Sequence, residues 1–317
     1  MFSIPELWTG LVFPLLKLCV FISAGVFVGN LIEAMNWTRF MAMLATPLVR
    51  AARLRDISGA AFSMAFFSGI TANTMLAEAY QQNRLNRKEL VLSNLFNSLP
   101  TYFLHLPTTF FIIVPLIKAA AIPYLLLTIS SAIIRTITVI FIGRFILPAR
   151  QDQCVHCELP PADKLNWSTV LVRVKARFIA RFKKIMVFTV PIYSLFYVLQ
   201  QTGSFSLIED FMAENAGFLN FLPPQAISII ALQLAAEFSA GLAAAGSLLD
   251  SGALQIRQVV LALIIGNILS SPMRAVRHQL PYYAGIFNPA LALRLIIYNQ
   301  SLRAGSLVLV GAAYYFW

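Results

Sequence analysis

Residues 66–73 read FFSGITAN and residues 236–241 read AEFSAG, and each stretch is followed by the same series of prolines. The interval from phenylalanine to the next proline is nearly equal, 33 residues for Phe67–Pro100 and 34 for Phe238–Pro272. A further proline pair is 8 residues apart in each copy, at Pro107 and Pro115 and at Pro281 and Pro289. Paired apolar segments interrupted by Gly or Pro are typical of transporters built from internal repeats, which bind their cargo where the repeats meet.

The composition predicts a membrane protein. Hydrophobic residues make up 59% of the chain and charged residues only 12%, with a mean hydropathy of +0.75. This leaves too little polar surface to cover a soluble globule. The apolar residues 18–34 are interpreted as a retained first span, because the first 35 residues lack the basic region and cleavage site of a signal peptide. The 3 cysteines imply no disulfide framework.

The predicted fold is an all-α polytopic membrane protein with two inverted repeats. The first repeat covers residues 1–148 and the second 178–317, joined by a basic cytoplasmic loop at 149–177. Each repeat contains a span, a re-entrant hairpin and two further spans, about 6 full spans and 2 hairpins in all. The hairpins are assigned to 57–80 and 224–249, because these segments are rich in small residues that permit close helix approach and broken helices.

The distribution of Lys and Arg supports re-entrant hairpins. With hairpins, 18 of the 24 basic residues fall on one side of the membrane, 3 fall on the other, and 3 fall within spans. This asymmetry is typical of a cytoplasmic face. If the two segments crossed the membrane fully, Arg84, Arg87 and Lys88 would move outside. The net charge of +11 follows from this rule and from anionic lipid, so nucleic acid is not an expected partner.

The two small-residue stretches resemble the Gate, or nucleoside-recognition, domain. That domain recurs in concentrative nucleoside transporters, in ferrous-iron permeases of the Feo type and in small proteins related to spore maturation. The resemblance covers most of the chain and implies two hairpins that face a small polar solute. The chain differs in having no G-protein domain and no Gln-Thr-Glu sequence in the first hairpin. The resemblance therefore implies an architecture rather than a cargo.

Ionisable residues within spans are the first site candidates, since a charge there costs about 2.5–3.5 kcal/mol. Six occur, namely Glu33, Glu78, Glu237, Arg135, Arg294 and Arg303. Glu237 opens the turn of the second hairpin, and we predict that it lines the substrate site, with ion or proton coupling as a further role. The alternative is a buried partner for Arg135 or Arg294. Arg274 and Arg277 are interpreted as interfacial anchors.

Uncharged polar residues complete the predicted substrate site. Thr71 and Asn73 lie at the presumed tip of the first hairpin and Ser239 near that of the second, while Asn97 and Asn267 precede prolines. Amides, hydroxyls and helix ends at such breaks can bind a small polar solute. The alternative is that these side chains only join neighbouring helices.

The loop residues Cys154, His156 and Cys157 form a C-x-H-C sequence. Thiols and imidazole at this spacing suit Zn or a ferrous or cuprous ion. The alternative is a reduced, solvated loop, because the sequence offers no evident fourth ligand.

No enzyme is expected, because the chain has no Ser-His-Asp order, no phosphate-binding Gly-rich loop and no H-E-x-x-H motif. We predict a transporter for a small polar solute in the bacterial inner membrane, with basic loops in the cytoplasm and both termini outside. One alternative is a divalent-metal permease similar to those for ferrous iron. Another is a non-transporting scaffold, or a subunit that assembles with a second copy or a second Gate protein.

Overall fold

The computed structural model describes residues 4–13, 15–17, 19–20, 23–24, 27, 38–148, 167–201, 221–235 and 238–317. Regular structure in these described residues is helical throughout, and they contain no β-strand. The predicted all-α class is therefore confirmed.

The helices before residue 149 are α1 (Ile4–Leu7), α2 (Thr38–Ala51), α3 (Asp56–Ala65), α4 (Gly69–Gln81), α5 (Arg87–Phe96), α6 (Ser98–Ile117) and α7 (Ala121–Ile146). A π-helical stretch, Trp8–Val12, follows α1, and a 3₁₀ turn, Lys118–Ala120, joins α6 to α7. Asn97 is the single residue between α5 and α6, so the two helices follow each other directly with a one-residue break.

The helices after residue 166 are α8 (Trp167–Gln201), α9 (Pro224–Ala235), α10 (Phe238–Asp250), α11 (Ile256–Arg274), α12 (Leu280–Ile286) and α13 (Pro289–Phe316). The π-helical stretch Ala275–Gln279 joins α11 to α12. This break follows Pro272, which lacks the backbone N–H that would continue the helical hydrogen bonds.

The two small-residue segments are both pairs of short helices. In the first pair, the Ser68 side chain accepts a hydrogen bond from the backbone N–H of Thr71 and starts α4 after the break. In the second pair, α9 and α10 are separated by residues 236–237, which lie outside the described residues. Helix α10 is buried from Ser239 to Leu248 and packs against α6, α8 and α9.

The order of helices in 56–146 recurs in 224–316. The starts of α4 and α10 are 169 positions apart, and the starts of α7 and α13 are 168 apart. The turns that follow α4 and α10 also match, since Asn83 and Gly252 have φ of 57° and 71°. A capping box then begins α5 and α11. The sequence alignment of Phe67 with Phe238, 171 apart, is therefore two residues out of register with the helices.

Two helical stretches within the described residues are long and apolar enough to cross a bilayer. They are 87–146, which comprises α5, α6 and α7, and Ile256–Arg274, which is α11. Length and composition thus agree with a membrane location in these two stretches. The predicted number of six spans and two hairpins is not tested by this criterion and stays a prediction.

Candidate functional site

A cavity of about 490 Å³ lies among α3, α4, α5, α6, α7, α10, α11, α12 and α13. Both helix pairs reach it, the first through Ala65, Gly69, Ala72 and Asn73 and the second through Phe238. Pockets that hold small molecules commonly have volumes of about 300–1,000 Å³. The cavity is therefore large enough for a small organic solute.

One wall of the cavity is an amide network. The Asn94 side-chain nitrogen donates to Oδ1 of Asn73 at 2.8 Å and to the hydroxyl of Tyr283 at 3.0 Å. These bonds join α5 to α4 and to α12. Asn94 is only 2% exposed, and its Oδ1 has no hydrogen-bond partner among the described residues.

Asn97 lies at the interruption between α5 and α6 and lines the same cavity. Its side chain is 4% exposed, yet neither Nδ2 nor Oδ1 has a partner among the described residues. A buried amide without partners carries a desolvation cost of roughly 1–3 kcal/mol. Such a residue is well suited to bind a solute or ordered water that enters the cavity.

Another part of the cavity lining, called the basic wall below, contains arginine side chains. Arg274 and Arg303 each donate from Nη2 to Oδ1 of Asn267, at 2.8 and 3.0 Å. The Asn267 nitrogen donates in turn to the Tyr124 hydroxyl at 3.3 Å. The Asn267 oxygen is thus already engaged by two guanidinium groups, which fixes their position on the cavity wall.

Arg135 adds a third guanidinium group to the cavity lining. Its side chain is buried, and its Nε donates to the carbonyl of Ser131 at a long 3.4 Å. Ser131 and Ser306 share a hydrogen bond of 2.7 Å that holds α7 against α13. Arg274 and Arg303 share Oδ1 of Asn267 as an acceptor, so these two like charges lie close together.

Aromatic side chains also line the cavity. Tyr124 stacks on Phe238 with ring centroids 6.2 Å apart and an interplanar angle of 26°. The Tyr102 hydroxyl shares a hydrogen bond of 2.9 Å with Thr128. The site therefore combines a basic wall, an amide wall and an aromatic surface, as expected for a solute with both charged and apolar parts.

The structure brings together three of the six predicted substrate residues, since Asn73, Asn97 and Asn267 all line the cavity. Thr71 does not line it; the residue is exposed and its hydroxyl donates to Ser68. Ser239 is buried in α10 away from the cavity lining. Glu237 precedes the lining residue Phe238 but lies outside the described residues.

The predicted metal residues Cys154, His156 and Cys157 also lie outside the described residues. Within the part of the chain that the structure describes, no group of three or more His, Cys, Asp or Glu side chains is placed to hold a metal ion. The loop motif thus stays a prediction.

Sequence reasoning missed the basic wall as a unit. Arg135 and Arg303 were among the six ionisable candidates, with Arg135 also considered as an alternative partner for Glu237, and Arg274 was interpreted as an interfacial anchor. All three line the cavity. Arg274, the last residue of α11, lines the cavity and donates to Asn267, and its role as an interfacial anchor stays a prediction. The presence of Arg135 and Arg303 within apolar helices, where arginine is costly, marked each as a candidate but did not show that they share a site.

No protein-family model matches the chain, and no solved structure matches it. Three uncharacterized proteins of Methanocaldococcus jannaschii are similar to it over most of their length. One is 26% identical over 291 residues, covering 90% of this chain and 89% of the relative. A second is 26% identical over 270 residues, covering 83% and 82%, and a third is 22% identical over 295 residues, covering 91% and 93%. None of these names states an activity.

Proposed function

We propose that this chain is a membrane transporter for a small polar solute, bound in the cavity between the two helix pairs. The observation that carries the proposal is that Asn73 of the first pair and Phe238 of the second line one cavity, most of whose lining residues carry a polar group. A polar cavity inside apolar helices is costly to keep unless a solute or water uses it. The resemblance to Gate-domain proteins agrees with this reading.

The lengths of the paired helices support a re-entrant arrangement. Helices α3, α4, α9 and α10 have 10, 13, 12 and 13 residues. At 1.5 Å per residue they are about 15–20 Å long. A bilayer core is about 30 Å thick, so none of them crosses it alone. The two helices of each pair also pack against each other, so we infer that each pair enters and leaves on the same side.

Contacts between elements support the same topology on the cytoplasmic side. Arg55, just before α3, binds Glu89 at the start of α5 at 3.0 Å. Arg53 donates to the carbonyl of Leu147 at 3.2 Å. If the first pair were a full crossing, it would place these partners on opposite faces of the membrane. Re-entrant pairs place them on one face, which we assign to the cytoplasm because it collects the basic residues.

A second set of contacts fits the outer face. Lys118, in the turn between α6 and α7, forms an ion pair with Asp250 at the end of α10. Arg257 donates to the carbonyl of Tyr315 near the carboxyl terminus. Both pairs fall outside in the re-entrant topology, and the two repeats are then inverted. The protein would lie in the plasma membrane with both termini outside.

The two alternative functions, a divalent-metal permease and a non-transporting scaffold, are supported by fewer observations. A divalent-metal permease depends on Cys154, His156 and Cys157, and no contact among the described residues bears on it. A non-transporting scaffold, or a subunit of a larger Gate-protein assembly, would be expected to have a dry, packed centre. The unpartnered Asn97 in a polar cavity favours the transporter.

Accessibility of the cavity from both sides of the membrane tests transport without knowledge of the cargo. The chain is first freed of thiols by Cys19→Ser, Cys154→Ser and Cys157→Ser. Ser98→Cys then places a thiol on the cavity wall, while Ser63→Cys, whose serine is fully buried and bonded to the Gly59 carbonyl, is the matched control. Both variants are treated with a membrane-impermeant methanethiosulfonate in right-side-out and inside-out vesicles.

A transporter that exposes its site alternately should allow Ser98→Cys to react in both vesicle orientations, while Ser63→Cys stays unreactive. Reaction from one side only, or from neither side, would contradict transport and favour the scaffold.

A further inference from the structure

Arg135 and Arg303 occupy the same position in corresponding helices. Each lies 14 residues after the first residue of its helix, Ala121 in α7 and Pro289 in α13. These helices contain 26 and 28 residues, so both arginines are near the helix middle. Both line the cavity. The two halves of the chain therefore each deliver one guanidinium group to one site.

The charge on the described cavity lining is positive. Arg135, Arg274 and Arg303 line it, and no Asp or Glu occurs among its described residues. Glu237 adjoins Phe238 in sequence and would add at most one negative charge. Three guanidinium groups against one carboxylate still leave positive charge in excess. A cluster of buried like charges is costly, and an anion that binds among them removes much of that cost.

Donor groups of Arg135 and Asn97 also have few hydrogen-bond acceptors among the described residues. Among the described residues, the only hydrogen-bond acceptor of Arg135 is the carbonyl of Ser131, one helical turn away and at 3.4 Å. Asn97 carries an amide group with no partner among the described residues. A guanidinium group offers five donors in a planar fork that matches the oxygens of a carboxylate or phosphate.

We propose that the solute is a small organic oxyanion, with its carboxylate or phosphate group between Arg135 and Arg303 and in reach of the Asn97 amide. The proposal rests on the transport function above and names the substrate class of that site. Tyr124 and Phe238 supply a surface for the apolar part of the solute. The repeat-related arginines give each half of the transporter one contact to the anion, so the charge is held as the halves move.

The first test measures the sign of the electrostatic potential in the cavity and does not require that the cargo be identified. In the thiol-free background, Ser98→Cys is reacted in detergent with anionic 2-sulfonatoethyl methanethiosulfonate and with cationic 2-(trimethylammonio)ethyl methanethiosulfonate. The rate ratio is normalised to Ala253→Cys, an exposed turn position. We expect about a tenfold preference for the anionic reagent, the size that one nearby charge confers at intermediate dielectric.

Arginine variants assign that preference to the proposed residues. Arg303→Gln should reduce it several-fold, whereas Arg303→Lys, which keeps the charge, should retain it. Arg144→Gln, at an exposed position near the end of α7, is the matched control and should have no effect. A preference for the cationic reagent, or equal losses in Arg303→Gln and Arg144→Gln, overturns the proposal.

The second test measures binding on the full-length protein in detergent. Inorganic phosphate and succinate are titrated against the melting temperature, with sorbitol as the uncharged probe. We expect saturable stabilisation by one of the anions, weakened at least tenfold in Arg135→Gln and Arg303→Gln. Stabilisation by phosphate would indicate a phosphate group on the solute, and stabilisation by succinate would indicate a carboxylate. No saturable response to either anion, or an equal response to sorbitol, overturns the proposal. Two-sided labelling of Ser98→Cys together with that result would leave transport standing and reject only the anion.

Discussion

A Cβ atom at Gly246 would overlap the backbone carbonyl oxygen of Leu116. The two residues mark the place where α10, the buried helix of the second pair, lies directly against the carboxyl end of α6. Backbone on one side and backbone on the other leave no flexible side chain to move aside. The absence of a side chain at Gly246 therefore sets how closely the second helix pair approaches the first half of the chain.

Gly246→Ala should destabilise the protein by about 1–3 kcal/mol, because the added methyl group forces the two helices apart. The measurement is the melting temperature in detergent. Gly305→Ala is the matched control, since nothing lies within 4 Å of its added Cβ and alanine favours a helix by up to about 1 kcal/mol. Equal melting temperatures for the two variants would show that α10 has room to shift.

The ion pair of Arg55 and Glu89 should stabilise the folded protein more than a helix cap alone does. Glu89 is fully buried, accepts from Arg55 Nε at 3.0 Å and accepts from the backbone N–H of Asn86 at 2.9 Å. Glu89→Ala should cost about 2–3 kcal/mol, below the usual range for a broken buried pair because Arg55 keeps 35% side-chain exposure.

The control for Glu89→Ala is Gln258→Ala, which removes the corresponding capping side chain of α11. Loss of a cap should cost about 0.5–2 kcal/mol. Thermal unfolding of both variants at equal detergent and salt concentration compares them. A Glu89→Ala cost no larger than that of Gln258→Ala would mean that the ion pair adds no stability.

Substitution by leucine should change stability differently at two neighbouring asparagines, Asn94 and Asn97. Asn94→Leu removes two hydrogen bonds to Asn73 and Tyr283 and should cost about 1–3 kcal/mol. Asn97→Leu removes a buried amide that has no partner among the described residues, so stability should be unchanged or raised by up to about 1 kcal/mol. The same variant should weaken stabilisation by phosphate or succinate. If Asn97→Leu were as destabilising as Asn94→Leu, Asn97 would be a structural residue.

The inverted topology places the turn after α4 in the cytoplasm and the turn after α10 outside. Gln82→Cys and Ala253→Cys put thiols on these two turns, and both positions are exposed. In the thiol-free background, an impermeant reagent should label Ala253→Cys in intact cells and Gln82→Cys only in inside-out vesicles. Labelling of both positions from one side would indicate parallel repeats instead.

Much of the architecture was readable from the chain. The broken, small-residue segments at 57–80 and 224–249 correspond to the pairs α3–α4 and α9–α10, because Gly, Ser and Ala favour close packing and breaks wherever they occur. Asn73, Asn97 and Asn267 were chosen from their positions near breaks, and all three line the cavity. Thr71 was chosen on the same grounds and lies outside it, because its side chain points to the local cap at Ser68.

The sequence by itself determined the helical class and the positions of the helix breaks, since composition and local backbone preferences act within one segment. It also determined that charged residues occur within apolar helices. Only the tertiary structure decided that Arg135, Arg274 and Arg303 line one cavity, because they come from three helices whose facing sides depend on long-range packing. The physical reason is that a helix fixes its own register from local sequence, whereas the neighbour of each side chain is set by how whole helices pack.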